Sequence, residues 1–104
     1  MTNDEAAGMR FEEYRKQLLN IINKYIPKCT VYLFGSRARG MFREGSDIDL
    51  ALDTGCPIEL SVIFRIKNEI EETNIPFFVD VVDVQAASPD FKEQILKDGI
   101  IWKS

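Results

Sequence analysis

Thr30-Val31-Tyr32-Leu33-Phe34-Gly35-Ser36-Arg37-Ala38-Arg39-Gly40, continued through Met41-Phe42-Arg43-Glu44-Gly45-Ser46 to Asp47-Ile48-Asp49-Leu50-Ala51-Leu52, is the stretch whose reading decides the fold. Residues 30–34 form a β-branched and aromatic run that reads as a buried strand, and Gly35 ends it with a sharp turn. Ser36 then suits the start of a short helix, where backbone N–H groups point outward at an anion. From Asp47 the chain alternates: Ile48, Leu50 and Leu52 face one way, and Asp47, Asp49 and Ala51 the other. That is a second strand with one polar face.

The flanking segments complete an α/β or α+β arrangement. Phe11, Tyr14, Leu18, Ile21, Ile22 and Tyr25 recur at helical spacing and predict a first helix that stops before Pro27. Leu60, Ile63, Phe64, Ile66 and Ile70 predict a helix between Pro57 and Asn74, and Phe77 to Val84 (FFVDVVDV) predicts a strand. Ser88-Pro89 is an N-cap and N1 pair for a last helix with an apolar stripe of Phe91, Ile95 and Leu96 and with Gly99 at C′. Ile100 to Trp102 closes the chain as a strand or extended tail. Residues 1–9 read as a flexible tail and residues 10–104 as one domain.

Composition narrows the chemistry. With 45% hydrophobic and 29% charged residues, the chain has the balance of a folded globular protein. Lys and Arg number 13 against 17 Asp and Glu, a net charge of −4, so a broad nucleic-acid footprint is absent and phosphate binding must be local. No apolar run is long enough to span a membrane, the N-terminus lacks a secretory pattern, and the expected location is cytoplasmic. Cys29 and Cys56 read as two buried, reduced thiols. The absence of histidine removes Ser-His-Asp and Cys-His nucleophile systems and every His-based metal site. Carboxylates, hydroxyls, Lys, Arg and backbone must carry the reaction.

Three features supply those groups. Gly35-Ser36, with Arg37, Arg39 and Arg43 nearby, fits a phosphate-binding turn, although it is neither a Walker A motif nor GxGxxG and alone reads equally as an ordinary turn with solvated arginines. Asp47 and Asp49, two apart on one strand, offer hard oxygen ligands to a shared magnesium, although alternating acids also mark a solvated strand face. Asp80 lies among Phe77, Phe78, Val79, Val81 and Val82. In a central strand it would need a partner or a metal, and in an edge strand it would face water. Asp83 points the other way and reads as solvated. Three carboxylates converging at about 5 Å repel by roughly 3 kcal/mol per pair at an effective dielectric of about 20, which two divalent cations would offset.

Gly35-Ser36, ten residues, Asp47-Ile48-Asp49 and a later strand acid resemble the signature GSx10DxD of the nucleotidyltransferases of the DNA polymerase beta superfamily. The likeness runs from about Phe11 to Trp102 and is strongest to the minimal, MntA-like antitoxins that pair with HEPN-domain proteins. It implies the nucleotidyltransferase fold, α/β (α+β), with a small mixed sheet packed against helices as a single layer pair. It also implies that Gly35, Ser36, Arg37, Arg39 and Ser46 bind the nucleoside triphosphate, ATP, and that Asp47, Asp49 and Asp80 are catalytic and hold magnesium. Polymerases and aminoglycoside nucleotidyltransferases carry a further lobe for the acceptor, and no stretch of these residues is left over for one. The resemblance therefore implies AMP transfer to a tyrosine hydroxyl of a HEPN toxin, while the net charge of −4 and the lack of a long apolar run predict no direct nucleic-acid or membrane partner. A small-molecule nucleotidyltransferase completed by a second subunit, and a non-catalytic antitoxin that masks its partner, stay open as alternatives.

Overall fold

The computed structural model describes the backbone of residues 3–40 and 47–104 and the side chains of residues 8, 10–40 and 47–104. Its elements are α1 (Asn3–Tyr25), β1 (Thr30–Phe34), α2 (Gly35–Ala38), β2 (Ile48–Asp53), α3 (Leu60–Glu71), β3 (Val79–Asp83), a 3-10 turn (Val84–Ala86), α4 (Pro89–Asp98) and β4 (Ile100–Lys103). The strands form one mixed sheet in the order β3-β2-β1-β4. β1 is antiparallel to both β2 and β4, and β2 is parallel to β3. A parallel pair needs a crossover, and α3 supplies it.

Alternation along the strands decides the layers. Val31, Leu33, Ile48, Leu50, Leu52 and Val81 project from one face and form a core with Leu18, Ile21 and Ile22 of α1 and Ile63, Ile66 and Ile70 of α3. Full burial of each such side chain contributes about 1.5–3 kcal/mol. On the opposite face a smaller cluster joins Ala51 to Val84 and Ile95, with Tyr32, Phe34 and Val82 against it. α4 thus covers part of the second face of the sheet, in addition to the helix layer formed by α1 and α3.

Several boundaries differ from the sequence reading. α1 begins at Asn3 and takes in residues 3–9, which the sequence places in a tail. Ala6-Ala7 favours helix by backbone propensity. α3 begins at Leu60 rather than after Pro57, and β3 at Val79 rather than Phe77. β3 is an edge strand, so Asp80 is not buried among apolar neighbours. Cys56 is exposed and only Cys29 is buried, because Cys56 falls in the loop after β2. Leu60 (72%) and Phe64 (58%) lie in solvent although they share the helical spacing of Ile63 and Ile66. In α4 only Ile95 of the expected stripe is buried. Ser88 caps α4 as expected, its Oγ accepting the Phe91 N–H at 3.3 Å. Gly99 does not adopt a left-handed C′ conformation: its φ is −69°, and a Cβ there would meet the Ile95 carbonyl at 2.5 Å and the Tyr32 ring at 3.3 Å. Asp83 is no solvated acid. It accepts the Ile58 N–H at 2.7 Å and the Gln85 N–H at 3.0 Å, and so ties the approach to α3 to the end of β3.

Candidate active site

The junction of β1 and α2 is built around Gly35. Its φ of +75° is a region that residues with a Cβ rarely adopt, and a Cβ placed there would collide with Oδ2 of Asp49 and lie 3.2 Å from its Cγ. Asp49 is directly beside it because β2 pairs with β1 so that Phe34 faces Asp49. The glycine that the turn requires is also the glycine that lets a carboxylate rest against the turn. α2 has no side-chain cap at its N-terminus, where Phe34 occupies the cap position.

The parallel pairing of β2 and β3 sets Asp49 opposite Asp80, on the same face of the sheet. Asp47 stands two residues before Asp49, exposed at the mouth of β2. Burial first, then the charges of Asp80 and Asp47, push the Asp49 carboxyl above the usual carboxylate range. Asp49 therefore feels the charge of both other acids. Among the described residues, however, no three of them are gathered into a ready-made ligand set.

Asp80 is held in place by its neighbours. Its Oδ1 accepts the Val81 N–H at 3.0 Å and lies 3.5 Å from Nζ of Lys67 on α3. Both side chains are more than a third exposed, so the pair fixes geometry more than it adds stability. In the sequence Lys67 is one more polar residue of an amphipathic helix. Only the crossover of α3 beside β3 brings it to Asp80.

The other expected site residues divide. Ser36 is half-buried on α2. The Arg37 guanidinium lies 4.8 Å from the Phe11 ring centroid and 4.7 Å from that of Phe77, linking α2 to α1 and to the segment before β3. Burial lowers its pKa and Asp47 opposes the shift. Arg39 is exposed and borders a small cavity beside Gly35. Ser46 and Arg43 lie outside the described residues.

A cation would suit this donor set. Hard oxygen ligands are what magnesium takes, and magnesium is usually held by one or two carboxylates together with substrate phosphates rather than by a complete protein cage. Asp49, its carboxyl raised by burial and by the charges of Asp80 and Asp47 and set against a turn with an uncapped helix start, meets that description.

The family model described as polymerase beta, nucleotidyltransferase matches residues 16–104. The MntA protein of Haemophilus influenzae, which bears the name of a protein adenylyltransferase, is 36% identical over 81 residues, 78% of this chain and 71% of that protein. A protein of Methanocaldococcus jannaschii that bears the same activity name is 32% identical over 92 residues, 88% of this chain and 97% of its own. Among solved structures, a toxin–antitoxin complex with AMP-PNP matches with a TM-score of 0.72 at 25% identity over 86% of this chain and 73% of its own. A complex of a tri-AMPylated Shewanella oneidensis HEPN toxin with its MNT antitoxin shares the fold at a TM-score of 0.69 and 22% identity, covering 89% of this chain and 72% of its own. Among the described residues no helix is long and apolar enough to cross a membrane.

Proposed function

Because this chain belongs to the polymerase beta nucleotidyltransferase family, we propose that it transfers AMP from ATP to a tyrosine hydroxyl of a HEPN-domain toxin and acts as that toxin's antitoxin. The observation that carries the reading is the contact of Asp49 with Gly35, which sets a carboxylate against the turn that would receive the triphosphate. The names of the Haemophilus and Methanocaldococcus relatives supply the class of acceptor, and the solved complexes supply the kind of partner.

In this reading the backbone N–H groups at the start of α2 and the Ser36 hydroxyl hold the triphosphate, with Arg39 and Ser46 beside it. Arg37, stacked between Phe11 and Phe77, serves chiefly to fix the start of α2. Asp47, Asp49 and Asp80 would hold magnesium, two ions in the full assembly. The metal, when bound, neutralises charge on the triphosphate and favours ionisation of the acceptor hydroxyl. Asp80 has Oδ1 engaged by the Val81 N–H and Lys67, so Oδ2 would be the oxygen left to hold the cation or to take the proton of the attacking tyrosine. The bond from the tyrosine oxygen to the α-phosphorus forms as the bond to the β-phosphate oxygen breaks, and pyrophosphate departs.

The test is co-expression with a HEPN-domain partner, followed by intact mass of that partner. Addition of whole AMP units that disappears with Asp47→Asn plus Asp49→Asn supports the reading. Full neutralisation of the toxin by the double variant, with no added AMP, replaces it with steric masking.

A further inference from the structure

In the sheet order β3-β2-β1-β4 the parts of the reaction lie side by side: the turn at Gly35 ends β1, Asp49 is on β2 and Asp80 on β3. β3 is an edge of that sheet. An in-line displacement brings the attacking oxygen in opposite the leaving group. With the triphosphate at the turn that ends β1, the attacking hydroxyl arrives across the free edge of β3.

That edge carries two grooves that meet at Lys67. One, of about 350 Å³, lies between the start of α3 and the end of β3 and is lined by Leu60, Ile63, Phe64, Val81 and Val82. The other, of about 250 Å³, lies between the end of α3 and the segment that enters β3 and is lined by Ile70, Ile75, Phe77 and Phe78. Lys67 borders both, and its Nζ is 3.5 Å from Oδ1 of Asp80. Leu60, Phe64 and Lys67 follow one another at steps of four and three residues, which puts them on one face of α3. Leu60 (72%), Phe78 (66%) and Phe64 (58%) are the most exposed large apolar side chains among the described residues. Single exposed apolar residues are ordinary, whereas a row of them along one edge marks an interaction surface.

The rim and the backbone decide what covers that row. Glu59, next to Leu60, and Glu71, beside the second groove, are both exposed, and the chain carries a net charge of −4, which opposes an anionic lipid surface. The Val81 N–H on the edge strand is already taken by Asp80 at 3.0 Å, so the occupant is held by side chains in the grooves rather than as an added strand. We propose that Leu60, Phe64 and Phe78 form the surface on which the acceptor protein docks, with its tyrosine crossing the edge beside Lys67 to reach Asp80 and its apolar side chains filling the grooves on either side. The proposal rests on the transfer reading above and adds to it the residues that select the acceptor.

The test is steady-state transfer of AMP to the purified HEPN-domain partner, with the KM for the partner, the KM for ATP and kcat measured separately. Leu60→Ala plus Phe64→Ala, at two exposed positions, raises the partner KM about 10-fold or more, as truncation of anchoring side chains does, and leaves kcat and the KM for ATP unchanged. Phe78→Ala does the same while keeping the backbone carbonyl that accepts the Ile48 N–H at 2.9 Å. Ile101→Ala, at a 56% exposed position on β4 at the opposite edge of the sheet, changes none of the three constants.

An unchanged partner KM in the β3-edge variants overturns the assignment, as does an equal rise in Ile101→Ala. A fall in kcat with the partner KM unchanged also overturns it, because the side chains then act through Asp80 and not on the partner. Self-association of the wild type, or its binding to phosphatidylserine vesicles, that is lost in Leu60→Ala plus Phe64→Ala while the partner KM stays the same gives the surface to a second copy or to a membrane instead. Where the wild type transfers no AMP, the transfer reading falls, and equilibrium affinity for the same partner decides the docking surface alone: a loss of about 10-fold in the β3-edge variants keeps it, and equal affinity ends it.

Discussion

Gly35→Ala tests the central contact of the site. Two costs arise: a left-handed φ with a Cβ costs about 1–2 kcal/mol, and moving the Asp49 carboxyl off its rotamer costs about 0.5–1.5 kcal/mol. The sum is about 1.5–3.5 kcal/mol. Gly55→Ala supplies the reference, since Gly55 has a φ of +85° with nothing within 4 Å of its added Cβ. It carries the first cost only, and the stiffening of the unfolded chain by alanine is common to both. In an Asp49→Ala background the obstructing Oδ2 and Cγ are gone, and the remaining Asp49 Cβ, at 3.5 Å, is in ordinary van der Waals contact. Gly35→Ala should then cost no more than Gly55→Ala. Urea unfolding of the single and double variants in metal-free buffer measures the coupling, expected at about 0.5–1.5 kcal/mol. Additivity within about 0.3 kcal/mol would refute the claim that this carboxylate rests on the glycine. In the transfer reaction the same substitution, by displacing a reacting group about 1 Å, should lower the rate about 100-fold.

Asp49 also gives a pH signature. Its folded pKa is raised, so its contribution to stability is fully present below the ordinary carboxylate value of 3.8 and is lost as pH rises through the raised value. Metal-free Asp49→Asn should therefore be more stable than the wild type near neutral pH, with the advantage disappearing below pH 3.8 in thermal melts. Magnesium affinity of the wild type should fall as pH drops through that same raised value. Lys67→Met, which removes the partner 3.5 Å from Asp80, should cost at most about 1 kcal/mol of stability yet lower transfer about 10-fold, with partial recovery in Lys67→Arg; equal activity of the methionine variant removes Lys67 from the site. Ser88→Ala should lower stability by about 1 kcal/mol through loss of the α4 cap, read from the denaturation midpoint. Ile66→Ala, at a fully buried position between α3 and the sheet, should cost about 2–5 kcal/mol in the same assay.

The elements were legible where the pattern is local. Thr30–Phe34 and the last turn of α1 fall where β-branched content and Pro27 place them, because propensity and proline sterics act within a few residues. Leu60 and Phe64 share the helical spacing of Ile63 and Ile66 yet lie in solvent, because helical spacing tells which residues share a stripe and not how wide a stripe the neighbouring layer covers. Phe77 and Phe78 were read into β3 for a similar reason: apolar β-formers adjoin the strand, but pairing with β2 begins only at Val79.

Within the site, the spacing of Gly35-Ser36 from Asp47 and Asp49 was set by covalent sequence alone. The period of a strand puts Asp47 and Asp49 on one face whatever the rest of the chain does. Whether Asp80 joined them could not be settled that way, since it depended on which strand β3 pairs with and in what register. The fold answers both: β3 lies parallel beside β2, and Asp80 comes opposite Asp49. The same packing brought Lys67 to Asp80, set Arg37 between Phe11 and Phe77, and laid Phe91 of α4 against Phe34. Those are contacts between residues far apart in the chain, and they exist only because burying Ile48, Leu50 and Ile95 on opposite faces of the sheet leaves the chain few other ways to close.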